Sequence, residues 1–565
     1  MAFHLEALVD FPDDAMAARQ PLTRDAIDAM MARLAASGVR RVSWATYGDG
    51  HGGYFMPGGL DPGWVNYVAT LKALENPLRV AVECGHRHGL EVYGYFKPYE
   101  TGPALVFPDA SPEARNYGRL WQLGGYLSWL DPFVVNNPSL RLRRKPGGAS
   151  QEACNRPVCA IRLIKKDDAP TRITKVHLEI WTSDKNYRYR PLPVDLHVHE
   201  TVEVSPGEIR GLDGSVVTGK GERVRVLTLT GFSLDDQYIL VTTNFKEGPG
   251  DFENLGTELF VALDQSGEEI PGVFSSGAAV WEGDRVDFRD WGVIFDVGWT
   301  CQNVVLDAPN TAPPEVIGYG SGRKGFVAFT RGRNEYLPGA LCETEPMVQA
   351  YWLSWINEMI ASGVDGVDLR VENHSTHTDY PEEYGYNQVV LERAAVQNPD
   401  DPFAAVPAVR GEAYTEFLRK AKAMLALADK RMRINLNVDF FRPDPPPVRL
   451  PAYPLNIHFD WNTWITEGLL DEAILRFFEI PFDAVFDDAV AKAMMTACDH
   501  KRIPVVFNRY INDAYEAEFN RVRADGRFTG FILYETANCL SFDADGTWRI
   551  TSEPVERVIR AHHNQ

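Results

Sequence analysis

One pattern recurs along this chain of 565 residues and leaves it few folds: an amphipathic helix, a glycine that stops it, and a β-rich run straight after. Thr23 can cap a helix running to about Ser37, with Ile27, Met30, Met31 and Leu34 on one apolar face. Gly38 ends it and VRRVSWATY follows as a strand. Asn76-Pro77 opens a second helix carrying Leu78, Val82 and Cys84, which ends at His88-Gly89 before LEVYGYF. Pro346 opens a third, with Val348, Trp352, Ile356 and Met359 in one stripe, and Gly363 closes it before GVDLRV. Downstream, helices are expected near 413–430, 469–478, 490–500 and 515–523. They lead into MRINLNVDFF, AVFDDA, IPVVFNRY and GFILYETA, with NIHFDW as a further short strand. Strands alternating with helices imply a parallel sheet. The strand candidates are 41–47, 91–97, 365–371, 433–439, 456–460, 484–487, 504–509 and 529–535. Eight is the number that closes a barrel, so the expected fold is α/β, a (β/α)8 TIM barrel.

The stretch from about 130 to 320 has a different character. ITKVHLEI, VDLHVHETVEV, ERVRVLTLTGF, QYILVTTNF, TELFVALD and DFRDWGVIFDVGW alternate apolar with polar residues, and Gly, Asp and Pro separate them. This reads as a large inserted antiparallel β-sandwich. The expected organisation is 1–130 for the first part of the barrel, 131–320 for the insert and 321–565 for the second part. The segment 326–332 is a further strand candidate.

With 57 basic and 78 acidic residues the net charge is −21, which argues against nucleic-acid or anionic-membrane partners. Seven cysteines, at 84, 154, 159, 301, 342, 498 and 539, show no CxxC spacing and read as reduced thiols. The start MAFHLEALVDFPDDAMAARQ lacks the pattern of a signal peptide, and no run of about 18 apolar residues exists. The expected location is the cytoplasm. GDGHGG follows a strand without GxGxxG spacing, so no nucleotide cofactor is expected, and no cofactor of another kind.

In such a barrel the C-terminal ends of the strands form the active face. The candidate ends deliver Tyr47, Asp49 and His51; Lys97, Tyr99 and Glu100; Asp368, Arg370, Glu372, Asn373 and His374; Asn437 and Asp439; Asp460 and Trp461; Asp487 and Asp488; Asn508 and Arg509; and Glu535 and Asn538. So many polar ends suit a polyhydroxylated ligand. Asp368, Arg370 and Glu372 share one strand face, with Glu372 nearest solvent, Arg370 able to aim it and Asp368 able to neutralise the arginine. Two carboxyl groups facing each other across a sugar are the minimum for glycoside hydrolysis. Glu372, Glu535 and Asp460 are the candidate catalytic acids, with Asp487 and Asp439 next. The residues expected to hold substrate are Tyr47, His51, Lys97, Asp368, Arg370, Asn373, His374, Asp439, Trp461, Asp487, Asn508 and Arg509. Trp44, Trp121, Trp129, Trp461 and Trp464 fall near proposed strand ends or mouth loops, where indole stacks on sugar rings; most tryptophans in a barrel are nevertheless packing.

Five segments carry a resemblance: ASGVRRVSWATY, HGLEVYGYFKPYE, PMVQAYWLSWINEMIASGVDGVDLR, DWNTWITEGLLDE and GFILYET. They resemble the family-10-like glycoside hydrolases, β/α barrels of the glycosidase-like set. The resemblance covers roughly 1–125 and 325–555 and leaves out the insert. That family reads D-G-I-H-x-D-D at the third segment. Asp365-Gly366 match it, but Arg370 stands at the first later aspartate, which moves the expectation to Glu372. The resemblance implies carbohydrate as the substrate class. Arg370, with Arg331, Arg333, Arg141, Arg143, Arg144 and Lys145, suggests an acidic sugar; solvated surface arginines are the plainer reading.

Other classes stay open. A carbohydrate-binding or catalytically divergent barrel fits the arginine at the family's aspartate position. A lyase or isomerase on a sugar acid would use Lys97, His374 or Tyr47 as base. A metal-dependent hydrolase would need His374, His377 and Asp379, or His197 and His199; the last two share a strand face by alternation alone, and no metal is expected. The expected partner is the carbohydrate, with homo-oligomerisation left open.

Overall fold

The computed structural model describes residues 3–47, 62–99, 119–123, 126–130, 132–165, 167–184, 189–210, 216–243, 259–275, 326–371, 381–441, 456–478 and 480–564. Eight parallel strands close into a barrel in the order β1 (His4–Asp10), β2 (Val39–Tyr47), β3 (Glu91–Phe96), β4 (Gly366–Arg370), β5 (Arg431–Asn437), β6 (Glu472–Arg476), β7 (Val505–Asn508) and β8 (Gly530–Leu533). The ring is sealed where β8 meets β1, pairing Ala7 with Leu533.

The helix–glycine–strand units form as their sequences direct. Thr23 accepts from the Ala26 amide and opens the helix Arg24–Ala36, which buries Ile27, Met30, Met31 and Leu34. Asn76 caps Pro77–Arg87 in the same way. Pro346–Ala361 buries Val348, Trp352, Ile356 and Met359, and Gly363 ends it at φ +91°. Gly366 has a packing reason: a Cβ there would meet the Tyr93 ring at 2.3 Å.

Three strand expectations need correction. The first strand, His4–Asp10, was read only as the beginning of the chain; all seven of its residues are buried. The segment 456–460 is not a strand. It lies across the long helix Pro402–Leu427, with the His458 amide donating to the Pro407 carbonyl at 2.8 Å and a Cβ on Gly411 falling 1.8 Å from His458 O. The segment 484–487 falls on the short helix Phe482–Val485 and its end, whereas the sixth strand comes from 472–476, where a helix was expected. Glu472 and Arg476 have the spacing of a helical ion pair, but they are two inward positions of a period-two strand. Ala473 and Leu475 pack outward with the helices, while Ile474 belongs to the small apolar cluster inside the barrel.

That inner cluster consists of Leu8, Ala45, Tyr95, Ile474, Val506, Ile532 and Tyr534. Toward the N-terminal ends of the strands lies a buried charged belt. Arg41 donates to Glu6 at 2.9 Å, to Glu472 at 2.5 Å and to Glu91 at 2.7 and 2.9 Å. Arg433 donates to Glu6 at 2.7 Å and pairs with Glu472 at 2.8 Å. His4 meets Glu6 at 2.8 Å. Burial pushes the Glu6 carboxyl up, but Arg433, Arg41 and His4 together hold it well below the usual range.

Between β3 and β4, among the described residues, lie two larger antiparallel sheets and three two-stranded ones. One of the larger pair has four strands (197–204, 223–234, 158–164, 259–263) and the other five (273–275, 326–331, 238–243, 178–183, 190–191). Residues of both, among them Ile161, Leu163, Ile180, Ile239, Val241 and Phe329, form one apolar cluster. The strand Phe326–Arg331, expected as a candidate at 326–332, belongs to the second sheet. No helix among the described residues is long and apolar enough to cross a membrane.

Candidate active site at the mouth of the barrel

Missing β1 at the sequence level also concealed the acids that follow it. The strand ends at Asp10, and Pro12 starts a short helix, Phe11–Ala17, whose first turn carries Asp13 and Asp14. Across the closing seam, β8 is followed by Glu535, a non-glycine residue at φ +53°, and then by a 3-10 turn, Thr536–Asn538. A side chain in that region of φ is strained and persists only where its surroundings hold it. Asn538 donates to Glu535 Oε2 at 3.0 Å, and Thr536 Oγ1 donates to Asp14 Oδ2 at 2.7 Å. From β3 the fully buried Lys97 reaches Asp10 at 3.4 Å.

The electrostatics single out Asp13. It is partly exposed, yet burial, the charge of Asp10 and the charge of Glu535 push its pKa from 3.8 to about 8, against the opposing charge of Lys97. That holds the proton on its carboxyl at neutral pH. Asp14 is more deeply buried. Desolvation, with Asp13, Asp10 and Glu535, drives it well above the usual range despite the Thr536 hydrogen bond. A protonated, reachable acid beside a second carboxylate is the arrangement that separates a proton donor from its partner.

The rest of the mouth is built by β3 to β8. Arg370 and Arg476 are both buried, and the charges of both bear on Tyr95 and Tyr534. Arg476 donates to the Tyr534 hydroxyl at 2.7 Å and lies 4.2 Å over the Phe478 ring. Phe478 stacks on Tyr510 with ring centroids 4.1 Å apart, and Tyr510 is exposed. Asp368 accepts from Ser43 at 3.2 Å; burial lifts it to about 6, with Arg433 and Arg476 opposing. Those two arginines supply it with counter-charge. Asn508 ends β7 inside the barrel, fully buried. Asp439 is buried in the turn after β5 and accepts from the Phe478 amide at 2.9 Å.

Several expected site residues are employed elsewhere. Asp460 caps the helix Trp461–Thr466, accepting from the Thr463 amide at 3.0 Å and its hydroxyl at 2.6 Å. These bonds lower its pKa against the upward push of burial. Trp461, the first residue of that helix, packs half-buried on the main core, and Trp464 is buried among Tyr414 and Phe459. Trp44, within β2, is buried in the main core against Phe11, with centroids 4.9 Å apart. Asp487 is exposed and pairs with Lys492 at 2.9 Å. Arg509 donates to the Ile480 and Phe477 carbonyls at 2.7 and 3.3 Å and meets Glu518 at 3.4 Å. Arg331 donates to the carbonyls of Ala153, Cys154, Arg156, Asp235 and Asp236, and Arg333 pairs with Glu383 at 2.8 Å. Asp365 accepts from the Val92 amide at 2.7 Å, which gives the Asp-Gly of the resemblance a structural use. His51, Glu372, Asn373, His374, His377 and Asp379 lie outside the described residues, as does the side chain of Tyr47.

Among the described residues, one set of imidazole and carboxylate atoms lies within metal-binding reach: His4, Glu6 and Glu472, at the other end of the barrel. Arg41 and Arg433 already occupy those carboxylates.

The sequence signal for the missed acids was present. HLEALVD sets His4, Glu6, Leu8 and Asp10 at every second position, and Pro-Asp-Asp then starts a helix.

No family model matches the chain, and no curated protein does. Among solved structures, the chain is similar to the glycoside hydrolase domain of PelA from Pseudomonas aeruginosa, at 15% identity and a TM-score of 0.21, over 36% of this chain and 67% of that one. The catalytic domain of a beta-amylase from Paenibacillus polymyxa aligns over 99% of this chain and 98% of that one, at 8% identity and a TM-score of 0.35. A GH128 curdlan-specific exo-beta-1,3-glucanase from Blastomyces gilchristii aligns over 38% and 77%, at 14% identity and a TM-score of 0.21. Likeness at this level says nothing about the chemistry of this chain.

Proposed function

We propose that this protein is a glycoside hydrolase that cleaves its substrate at the C-terminal mouth of the barrel, with Asp13 as general acid and Glu535 as a partner carboxylate. One observation carries the reading: a partly exposed aspartic acid raised to about 8 beside a second acid held at positive φ, at the barrel end where such enzymes do chemistry. Asp13 would give its proton to the leaving oxygen. A carboxylate on the opposite side of the ring would attack the anomeric carbon or activate water. Glu535 and Glu372 are the two candidates for that role.

An acidic sugar is the favoured substrate class. Lys97, Arg370 and Arg476, from three different strands, place buried positive charge at the mouth, and the Phe478–Tyr510 stack offers a ring face. A second reading, a lyase on a sugar acid, is favoured by Lys97 buried beside Asp10. The architecture we propose is a barrel of 1–130 and 321–565 interrupted by an antiparallel sandwich at 131–320 that also takes in the strand Phe326–Arg331, just past that bound. Two sheets around one apolar cluster support it.

The test is a panel of aryl glycosides and aryl uronides, assayed with the wild type, Asp13→Asn and Glu535→Gln. The expected result is phenol release, faster from uronides, falling about 10²–10⁴-fold in kcat/KM in either variant. Release of a conjugated unsaturated sugar would instead identify the lyase. Equal rates in wild type and Asp13→Asn would overturn the acid assignment.

A further inference from the structure

We propose that Asp14 and Thr536 are positioning residues whose hydrogen bond sets how Asp13 and Glu535 face each other across the β1–β8 seam. This rests on the reading of Asp13 and Glu535 as a working pair. The seam between β1 and β8 is held by backbone pairing only as far as Ala7 and Leu533. Beyond that point the two segments diverge, one into a helix at Phe11 and the other into a 3-10 turn after Glu535. The Thr536–Asp14 hydrogen bond, 2.7 Å long and buried at both ends, rejoins them across 522 positions of sequence. Each anchor is the immediate neighbour of one of the two acids. A shift of either turn is therefore passed on to the acid pair through a single residue.

The strain at Glu535 supports the same role. A non-glycine residue at φ +53° is strained and needs its surroundings to hold it. Thr536, wholly buried and tied to Asp14, is the next residue along. The groups that face Asp14 are Asp10 and Asp13 from its own segment, and Glu535 and Cys539 from the other. Lys97 faces Asp13 from β3. The Asp14 carboxyl is hydrogen-bonded across the seam and removed from solvent, which suits an anchor better than a proton donor.

The experiment needs no substrate. The full chain, carrying carboxyl-labelled aspartate, is titrated by ¹³C NMR, and the resonance lost in Asp13→Asn identifies Asp13. In the wild type its midpoint is expected well above the ordinary range. Thr536→Val removes the hydroxyl and keeps the shape; the Asp13 midpoint should then fall by about one unit or more as Glu535 moves away. Thr536→Ser should restore it, which a loss of packing alone would not do. Should Thr536→Val not fold, Asp14→Ala reads the same shift from the other anchor. An unchanged Asp13 midpoint in Thr536→Val, with a lowered one in Glu535→Gln, would overturn the positioning role while leaving the acid pair intact. An ordinary midpoint in the wild type would instead remove the acid pair itself.

Discussion

Replacing Asp13 with asparagine should make the protein more stable, by a margin that opens above about pH 4 and is widest at alkaline pH. The folded chain holds the Asp13 carboxyl at about 8, raised from 3.8. An unfolded chain releases the same proton near pH 4. Between those values the native state binds more protons than the unfolded state, so its stability falls as pH rises, by about 1.4 kcal/mol per unit. The contribution is intact below pH 4 and gone above about pH 8. Four units set an upper bound of about 5–6 kcal/mol, and relaxation of the turn takes up part of it. Asparagine keeps the shape and does not titrate, so the variant escapes the loss. The expected difference is close to zero at pH 4 and about 2 kcal/mol or more at pH 9. Urea unfolding at pH 4, 7 and 9 measures it, followed by the fluorescence of the buried tryptophans 44, 352 and 464. Wild type and variant curves that stay parallel across this range would refute the argument, because a carboxyl with an ordinary pKa produces no such divergence. A gain in stability on losing the proposed acid is also what a strained, charge-crowded site should give.

Two further outcomes separate architecture from chemistry. Glu6→Gln leaves Arg41 and Arg433 short of a buried counter-charge and should cost about 3–5 kcal/mol, read as a lower unfolding midpoint. Asp460→Ala should cost about 1 kcal/mol through loss of the helix cap, with kcat/KM kept; a large loss of activity there would restore Asp460 as a catalytic candidate.

Much of the barrel was legible because its grammar is local. Thr23, Asn76 and Pro346 each begin a helix whose apolar stripe ends at a glycine, and these signals lie within about 15 residues of one another. The sixth strand was not legible. Its decisive contacts, Glu472 with Arg41 and Arg433, come from strands made far earlier or from a neighbour in space, and its own spacing imitates a helix. The site divides along the same line. Glu535 and Lys97 could be found because each ends an evident apolar strand. Asp13 could not, because its raised pKa comes from burial, with Asp10 and Glu535 converging on it, after the ring has closed. Asp460 misled for the converse reason: an acid beside a tryptophan reads as a sugar site, but one residue before a helix it is a cap.

The charged belt also bears on the order in which the molecule can be made. Glu6 and Arg41 leave the ribosome more than 420 positions before Glu472, and Glu6 as far ahead of Arg433. During all that time the first two strands carry ionised groups with their later partners unmade, while the two antiparallel sheets can already assemble around their own oily centre. Synthesis at about 5–20 residues per second makes that wait tens of seconds long. The middle of the polypeptide is thus able to mature before its two flanks, and the ring becomes a late event that draws the ends of the message together.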